Sequence, residues 1–179
     1  MPGKSNEERL ADIFAECAAE MLVDFGVQAT RLTGKRQTEP TSEGIAAQVA
    51  FGNAELHGCL TLQAPRRLLS LLYPVDQALP YSDLDDWACE IVNQVVGRFR
   101  NRVASYAVKV VFGVPRSLFS EVPPLSSSHD PTWSPISFAV DDMVLDHWLD
   151  LKTEPDFWLA ESPMEEVEKA LKEGSLVLF

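Results

Sequence analysis

The sequence lacks the residue patterns that mark several common kinds of functional site. It contains no Gly-rich loop of the GxGxxG or Walker type, so a nucleotide site of those classes is not expected. Its cysteines are odd in number and widely spaced, which argues against a disulfide framework and a metal-ligand cluster: Cys17, Cys59 and Cys89. Its histidines are equally scattered, so their order reveals no Ser-His-Asp or Cys-His arrangement: His57, His129 and His147.

The sequence also lacks long apolar segments and an excess of positive charge. No run of about 18 apolar residues occurs, and residues 1–9 are polar, without the apolar core of a secretory signal. We therefore expect no membrane span and no secretory signal, and the scattered cysteines fit a reducing, cytoplasmic location best. Its 27 acidic residues outnumber its 15 basic ones, for a formal net charge of -12. Because neutralisation of phosphates needs clustered Lys and Arg, no nucleic-acid partner is expected.

What the sequence does contain is a repeated order of elements. Its 179 residues suffice for one domain with a sizeable core. The first half predicts a helix, an extended segment, a hairpin of two alternating strands and a short helix that starts at a proline: 8–25, 28–35, 45–51 with 56–62, and 65–73. Ser5 and Glu8 form a capping-box pattern at the start of the first helix, and Gly26 ends it.

The same order of elements appears again in the second half. It predicts a helix from Asp83 to Ala104 with Ser82 as its N-cap, then a strand from Val108 to Val114 that ends at Pro115. A second hairpin follows over 136–140 and 143–151, with His147 in the apolar phase of its last strand. The repeat predicts an α/β (α+β) fold: a pseudo-twofold repeat of helix, strand and hairpin, with the helices packed on a mainly antiparallel sheet.

The helix predicted over 83–104 has two chemically different sides. Its apolar residues recur at helical spacing and predict the side that packs on the core: Leu84, Ala88, Ile91, Val95 and Phe99. On the opposite side, Asp86, Glu90, Asn93 and Gly97 follow one another at steps of four, three and four, which places them on one line. Such a line is either an ordinary solvated helix face or an interaction site, and the helix alone does not decide between the two.

The distance from this line to the next proline favours an interaction site. Written out, Asp86-x3-Glu90-x2-Asn93-x21-Pro115 resembles the signature of the CheC/CheX/FliY family of chemotaxis phosphatases. The resemblance extends from about Glu8 to Lys152. It implies a CheX-like phosphatase domain over residues 1–152, followed by a C-terminal tail over 153–179.

The first half of the sequence carries a degenerate copy of the signature. Asp12 and Glu16 have the right spacing, but Ala19 occupies the Asn position, and Pro40 lies one residue out of register. A duplication that lost its second site gives this pattern, and so does chance, because Asp and Glu are common in helices. The repeated element order favours duplication, and one intact copy resembles CheX more than CheC.

The resemblance implies a reaction and a role for each motif residue. The substrate would be the aspartyl phosphate of a CheY-type response regulator, whose receiver domain supplies Mg2+ and a Lys, so this chain needs no cofactor of its own. Glu90 and Asn93 would be the catalytic residues: Asn93 orients the attacking water, and Glu90 pairs with the receiver's Lys. Asp86 and Pro115 would be partner-binding residues. A homodimer is also implied.

Two alternatives stay open at this point. The chain could instead be a noncatalytic dimeric CheX/FliN-like adaptor that binds a regulator or a flagellar-switch partner. The tail predicts an acidic amphipathic helix over Glu161–Glu173, followed by the apolar end Leu176–Phe179. That apolar end either packs on its own domain, which we favour, or docks a partner.

Overall fold

A computed structural model describes residues 4–33, 44–73, 81–118, 135–165, 167 and 169. Three helices and seven strands lie along the described residues up to Thr153. The first half contains α1 (Asn6–Asp24), β1 (Thr30–Leu32), β2 (Gly44–Gly52), β3 (Leu56–Pro65) and α2 (Arg66–Leu71). The second half contains α3 (Tyr81–Ala104), β4 (Val111–Phe112), β5 (Arg116–Ser117), β6 (Ile136–Val140) and β7 (Met143–Thr153). No helix in this described part is long and apolar enough to cross a membrane.

The seven strands form one sheet whose pairings are all antiparallel among the described residues. The strand order is β1-β6-β7-β3-β2-β4, and β5 also pairs with β2. The inner hairpin strands β3 and β7 meet at the centre, and the strand after each helix pairs with the hairpin of the other half. Because β1 pairs with the second hairpin and β4 with the first, the two halves are related as the predicted pseudo-twofold repeat requires.

The core lies between one face of the sheet and the helices. Alternate residues of the hairpin strands are buried against α1 and α3, as the alternation in the sequence predicted. The largest fully buried side chains come from both layers and include Phe14, Phe99, Phe138, Leu60 and Leu62. Phe14 and Phe99 pack edge to face with ring centroids 5.7 Å apart, so the two helices also contact each other directly.

Helix α1 begins and ends where its sequence predicts, whereas α3 begins earlier than predicted. Ser5 caps α1 in a complete capping box with Glu8, and Gly26, at a φ of 74°, follows its end. For α3, the predicted N-cap is wrong, because the helix begins at Tyr81 and Ser82 is already a helical residue. The helix therefore starts two residues before the predicted start at Asp83.

The strand predicted over 108–114 is wrong as a continuous element. Only Val111–Phe112 and Arg116–Ser117 pair with β2, and Val114 is 89% exposed. Three residues, 113–115, separate these paired stretches, whereas only two residues, 49 and 50, separate their partners on β2. The edge therefore carries one extra residue, a β-bulge. Pro115 fits it because a proline has no N–H to donate to a ladder.

The chain continues after β7 along the ends of both helices. Arg9 of α1 donates hydrogen bonds to the carbonyls of Leu159 and Ala160, and the Met164 N–H donates to the Ser105 carbonyl at 2.7 Å. The predicted tail helix starts too early, because residues 161–164 are not helical, although 165, 167 and 169 are. Pro40, His129 and the apolar end at 176–179 lie outside the described residues. The domain boundary at 152 stays a prediction.

His147 is packed in the core, as its position in the strand predicted. It is fully buried, its ring lies edge to face with Phe14 and Phe138, and neither ring nitrogen has a well-formed hydrogen bond to a described residue. Burial lowers the pKa of His147 to about 4, and the backbone of Ile136 opposes this shift only in part. The imidazole is therefore neutral in the folded protein at neutral pH.

We predict that this histidine makes the protein less stable in mild acid. The unfolded chain takes up the proton near pH 6.5 and the folded chain only near pH 4, so stability falls as the pH drops between these values. Between pH 7 and pH 5 the loss attributable to this group should be about 2 kcal/mol, at about 1.4 kcal/mol per pKa unit. Urea unfolding of the wild type and His147→Leu at pH 7 and pH 5 measures it. An equal loss in both proteins would contradict the assignment.

Candidate functional site

Helix α3 separates buried and exposed side chains along its whole length. The residues predicted for the core are all buried, and the adjacent Trp87, Val92, Val96 and Val103 join them. Asp86, Glu90 and Asn93 are exposed on the opposite side. The predicted split between the two sides is therefore confirmed, and these three side chains occupy one solvent-facing line, which we call the motif line.

The N-terminal half of α3 is held in place by Trp87. Its indole N–H donates to the Leu69 carbonyl of α2 at 3.1 Å, and its ring packs edge to face with Phe25 and Tyr73. The ring lies on the flank between the core side and the motif line, which is why the apolar spacing did not single it out. These contacts fix the rotation of α3 and thereby the direction in which the motif line faces.

The motif side chains make few contacts with the rest of the protein. Glu90 accepts a hydrogen bond from the Gln94 amide at 3.2 Å, one turn further along the helix. Sequence reasoning missed this bond, although a spacing of four residues is the signal for it. No ion pair among the described residues involves Asp86 or Glu90. Glu90 and Asn93 thus expose a carboxylate and a carboxamide one turn apart, and both can still bond to a partner.

Pro115 connects to the same helix through the strand that follows it. The Ser117 hydroxyl donates to the Asp85 carboxylate at 3.0 Å, next to Asp86 in the sequence. Pro115 itself is half-buried within the bulge between β4 and β5. The structure therefore ties the segment after Pro115 to the N-terminal half of α3, the half that carries Asp86.

The corresponding line on α1 consists of Asp12, Glu16 and Ala19, and both of its acids form ion pairs. Asp12 pairs with Lys4 at 2.5 Å and with Arg31 at 3.2 Å. Glu16 pairs with Arg102 of α3 at 3.5 Å. Ala19, at the Asn position, packs against the core. The degenerate copy therefore offers no free carboxylate and no carboxamide, in contrast to the motif line.

Neither a metal-ligand cluster nor an activated cysteine occurs among the described residues. It contains no set of three His, Cys, Asp or Glu side chains close enough to hold a metal ion. Burial raises the pKa of Cys17 to about 12, and it also raises the pKa of Cys59 and Cys89 above that of a free thiol. Because the thiolate is the nucleophilic form, none of the three is activated for covalent catalysis.

A cleft of about 430 Å³ lies at the C-terminal end of α3, away from the motif line. Its lining comes from the turn between β2 and β3, the end of α3 and the segment after β7, and includes Asn53, Ala104, Val108 and Met164. None of the four motif residues lines it. The motif line is an open surface, which suits a protein partner better than a small molecule.

The described architecture matches solved structures of chemotaxis proteins. CheX from Vibrio vulnificus shares 10% identity at a TM-score of 0.69, with 80% of this chain and 99% of that one covered. A CheC-like protein from Shewanella oneidensis MR-1 shares 12% identity at 0.62, covering 79% and 96%. CheX from Borrelia burgdorferi, solved in a complex with CheY, BeF3 and Mg2+, shares 11% identity at 0.61, covering 79% and 97%.

These similarities concern the fold. No protein-family model matches the chain, and no curated protein matches it by sequence. The chain has the fold of CheX and CheC-like proteins, so the resemblance inferred from the motif is confirmed at the level of architecture. The roles inferred for the individual motif residues stay predictions.

We predict that Asn93→Ala leaves the fold intact and makes it slightly more stable. Asn93 is exposed and makes no hydrogen bond to a described residue, and alanine is the better helix former by up to about 0.7 kcal/mol. Ile91→Ala, at a fully buried position two residues away, should lose about 2–5 kcal/mol. Thermal unfolding of both variants measures this. A marked loss of stability in Asn93→Ala would mean that the side chain serves the fold.

Proposed function

We propose that this chain hydrolyses the aspartyl phosphate of a CheY-type receiver domain. The observation that supports the proposal most is the exposure of Asn93 and Glu90 side by side on α3, where Glu90 has no ion pair with another described residue. The fold adds support, because one of the similar structures contains CheX together with CheY. The proposal needs no active-site pocket in this chain, since the reacting phosphoryl group belongs to the partner.

The proposed reaction is the attack of water on phosphorus. The bond between phosphorus and the receiver's aspartyl oxygen breaks, its electron pair stays on that carboxylate, and inorganic phosphate leaves with the oxygen of the water. The Asn93 carboxamide can accept a hydrogen bond from the water and donate one to a phosphoryl oxygen, without adding charge to an anionic site. Holding the water in line accelerates hydrolysis at a site where Mg2+ and a Lys, both of the receiver, already stabilise the charge.

Glu90 is proposed to fix the position of the receiver. Its carboxylate lies one turn from Asn93, so a pairing with the receiver's Lys would bring the carboxamide towards the phosphoryl group. The Gln94 amide holds Glu90 Oε1 at 3.2 Å and leaves the other oxygen available for that Lys. Asp86 extends the same line as a further docking contact, and Pro115 shapes the adjoining edge of the sheet.

The adaptor hypothesis has one observation in its favour. Among the described residues there is no metal cluster and no activated thiol, so apart from Asn93 the groups needed for hydrolysis would have to come from the partner. A protein that only docks a regulator would expose the same acidic line without accelerating phosphate release. Binding of a receiver without any gain in hydrolysis would therefore favour the adaptor.

Two further parts of the proposal concern assembly and location. The strands β1 and β4 form the edges of the sheet as far as it is described, and an unpaired edge can accept a strand from a second copy. Val111 in β4 is 73% exposed, which leaves an apolar side chain uncovered at this edge. We propose a homodimer formed through sheet strands, in the cytoplasm, where CheY-type substrates would be met.

We predict that Asn93→Ala and Glu90→Ala fail in different ways. Loss of Asn93 removes the group that orients the water but keeps the docking face, so mainly the turnover rate falls. Loss of Glu90 removes a charge pair with the receiver's Lys, worth on the order of 1.5 to 5 kcal/mol at a desolvated interface. Binding should then weaken and become less sensitive to salt. Single-turnover phosphate release across receiver concentrations separates the two effects.

Matched controls for this experiment lie elsewhere on the molecule. Gln63→Ala removes a carboxamide from the sheet face opposite the helices, and Glu161→Ala removes an exposed carboxylate from the segment after β7. Both controls should keep the wild-type rate. The mechanism is wrong if Asn93→Ala changes only the apparent affinity, or if neither motif variant alters phosphate release.

We also predict that the α1 line contributes no activity and cannot be restored by one substitution. Ala19→Asn supplies the missing carboxamide, but Asp12 and Glu16 stay engaged with Lys4, Arg31 and Arg102. Phosphate release by Ala19→Asn should therefore equal that of the wild type, and release by Ala19→Asn combined with Asn93→Ala should equal that of Asn93→Ala. Recovery of activity in the double variant would contradict the one-site account.

A further inference from the structure

Gly97 lies on the motif line, and the described residues give no structural reason for a glycine there. It follows Asn93 by four residues, so it lies one turn, about 6 Å, further along the same side of α3. Its φ is not in the left-handed region that favours glycine, and a Cβ added there would lie more than 4 Å from the described atoms outside its own helix turn. Neither the backbone conformation nor packing against the described residues therefore requires a glycine.

Glycine is nevertheless unfavourable at this position. It is the poorest helix former after proline, and Gly97 lies in the interior of a helix of 24 residues. Other glycines of the chain do have an internal reason: a Cβ on Gly58 would clash with the Asp150 carbonyl at 2.1 Å, and Gly26 has a positive φ. Gly97 weakens α3 without any gain inside the described molecule, so a gain outside it is the remaining explanation.

We propose that Gly97 is a specificity-determining residue that lets the backbone of the receiver domain approach α3 closely. The inference rests on the function proposed above. A side chain at this position would hold the partner away from the helix by about the width of a methyl or isobutyl group. Because it lies one turn from Asn93, that displacement would also withdraw the carboxamide from the phosphoryl group. Misplacements of about 1 Å can cost about a hundredfold in rate.

The two flanks of the line are consistent with a close approach at this point. On the core side, Val96 is buried, so it does not project towards a partner. On the α1 side, Arg98 pairs with Asp24 at 2.6 Å, which directs its side chain along the helix pair rather than outward. A partner that follows the line from Glu90 past Asn93 therefore meets bare helix backbone at Gly97.

The test is a series of substitutions at Gly97 that add side-chain bulk while stabilising the helix. Gly97→Ala and Gly97→Leu should both raise the melting temperature by about 2 °C, because both residues favour the helix over glycine. Both should weaken binding, by about threefold for Ala and about tenfold or more for Leu, as expected for a clash in a packed interface. Ala50→Leu adds similar bulk to an exposed position on the opposite sheet face and should leave binding unchanged.

Two measurements with the full chain keep the outcomes distinct. Phosphate release is followed with phosphorylated CheY-type receivers, and binding with the same receivers loaded with Mg2+ and beryllofluoride, which cannot be hydrolysed. Binding that Gly97→Leu weakens, without any hydrolysis by the wild type, would support this inference and overturn the phosphatase proposal. Hydrolysis with unchanged binding in Gly97→Leu would overturn this inference alone. A lower melting temperature in Gly97→Ala, or no binding by the wild type, would overturn it as well.

Discussion

The packing of α3 against α1 and the sheet is the constraint on which the rest of the structure depends. The apolar side of α3 is buried from Leu84 to Val103, and the side opposite it is exposed to solvent. Three described ion pairs join α1 to the C-terminal part of α3: Arg98 with Asp24, and Arg102 with Glu16 and Glu20. The helices therefore run antiparallel, and the motif line lies on the part of α3 that precedes these contacts.

This arrangement distributes charge unevenly along α3. The helix carries its acids in the N-terminal half and its arginines in the C-terminal half, the order that its own dipole favours. Because α1 packs antiparallel, the arginines meet the acids at the end of α1. Asp86 and Glu90, nearer the start of α3, take part in no ion pair among the described residues. An acidic, solvent-facing line is the consequence, and a cationic group on a partner is its natural complement.

Much of the fold and of the motif line could be predicted from periodicity alone. The hairpins, the capping box at Ser5 and the two sides of α3 follow from patterns that each residue carries locally. The bulge at Pro115 and the contacts of Trp87 could not be predicted in this way. The bulge depends on the register between β4, β5 and β2, and Trp87 on which element covers the flank of its helix, and both are set by tertiary packing.

The two halves of the fold differ in chemistry more than in architecture. Each contributes a helix, an edge strand and a hairpin to one continuous sheet, so symmetry alone would give both helices the same role. The difference arises from side chains: the acids of α1 are paired by Lys4, Arg31 and Arg102, and its carboxamide position is alanine. On α3, the corresponding acids Asp86 and Glu90 form no ion pair among the described residues, and Asn93 lies beside them.

A helix whose charged side chains are already paired within the protein has few charges left to bind a partner. The paired acids leave α1 a structural element, and under the proposed function recognition of the partner falls to α3 alone.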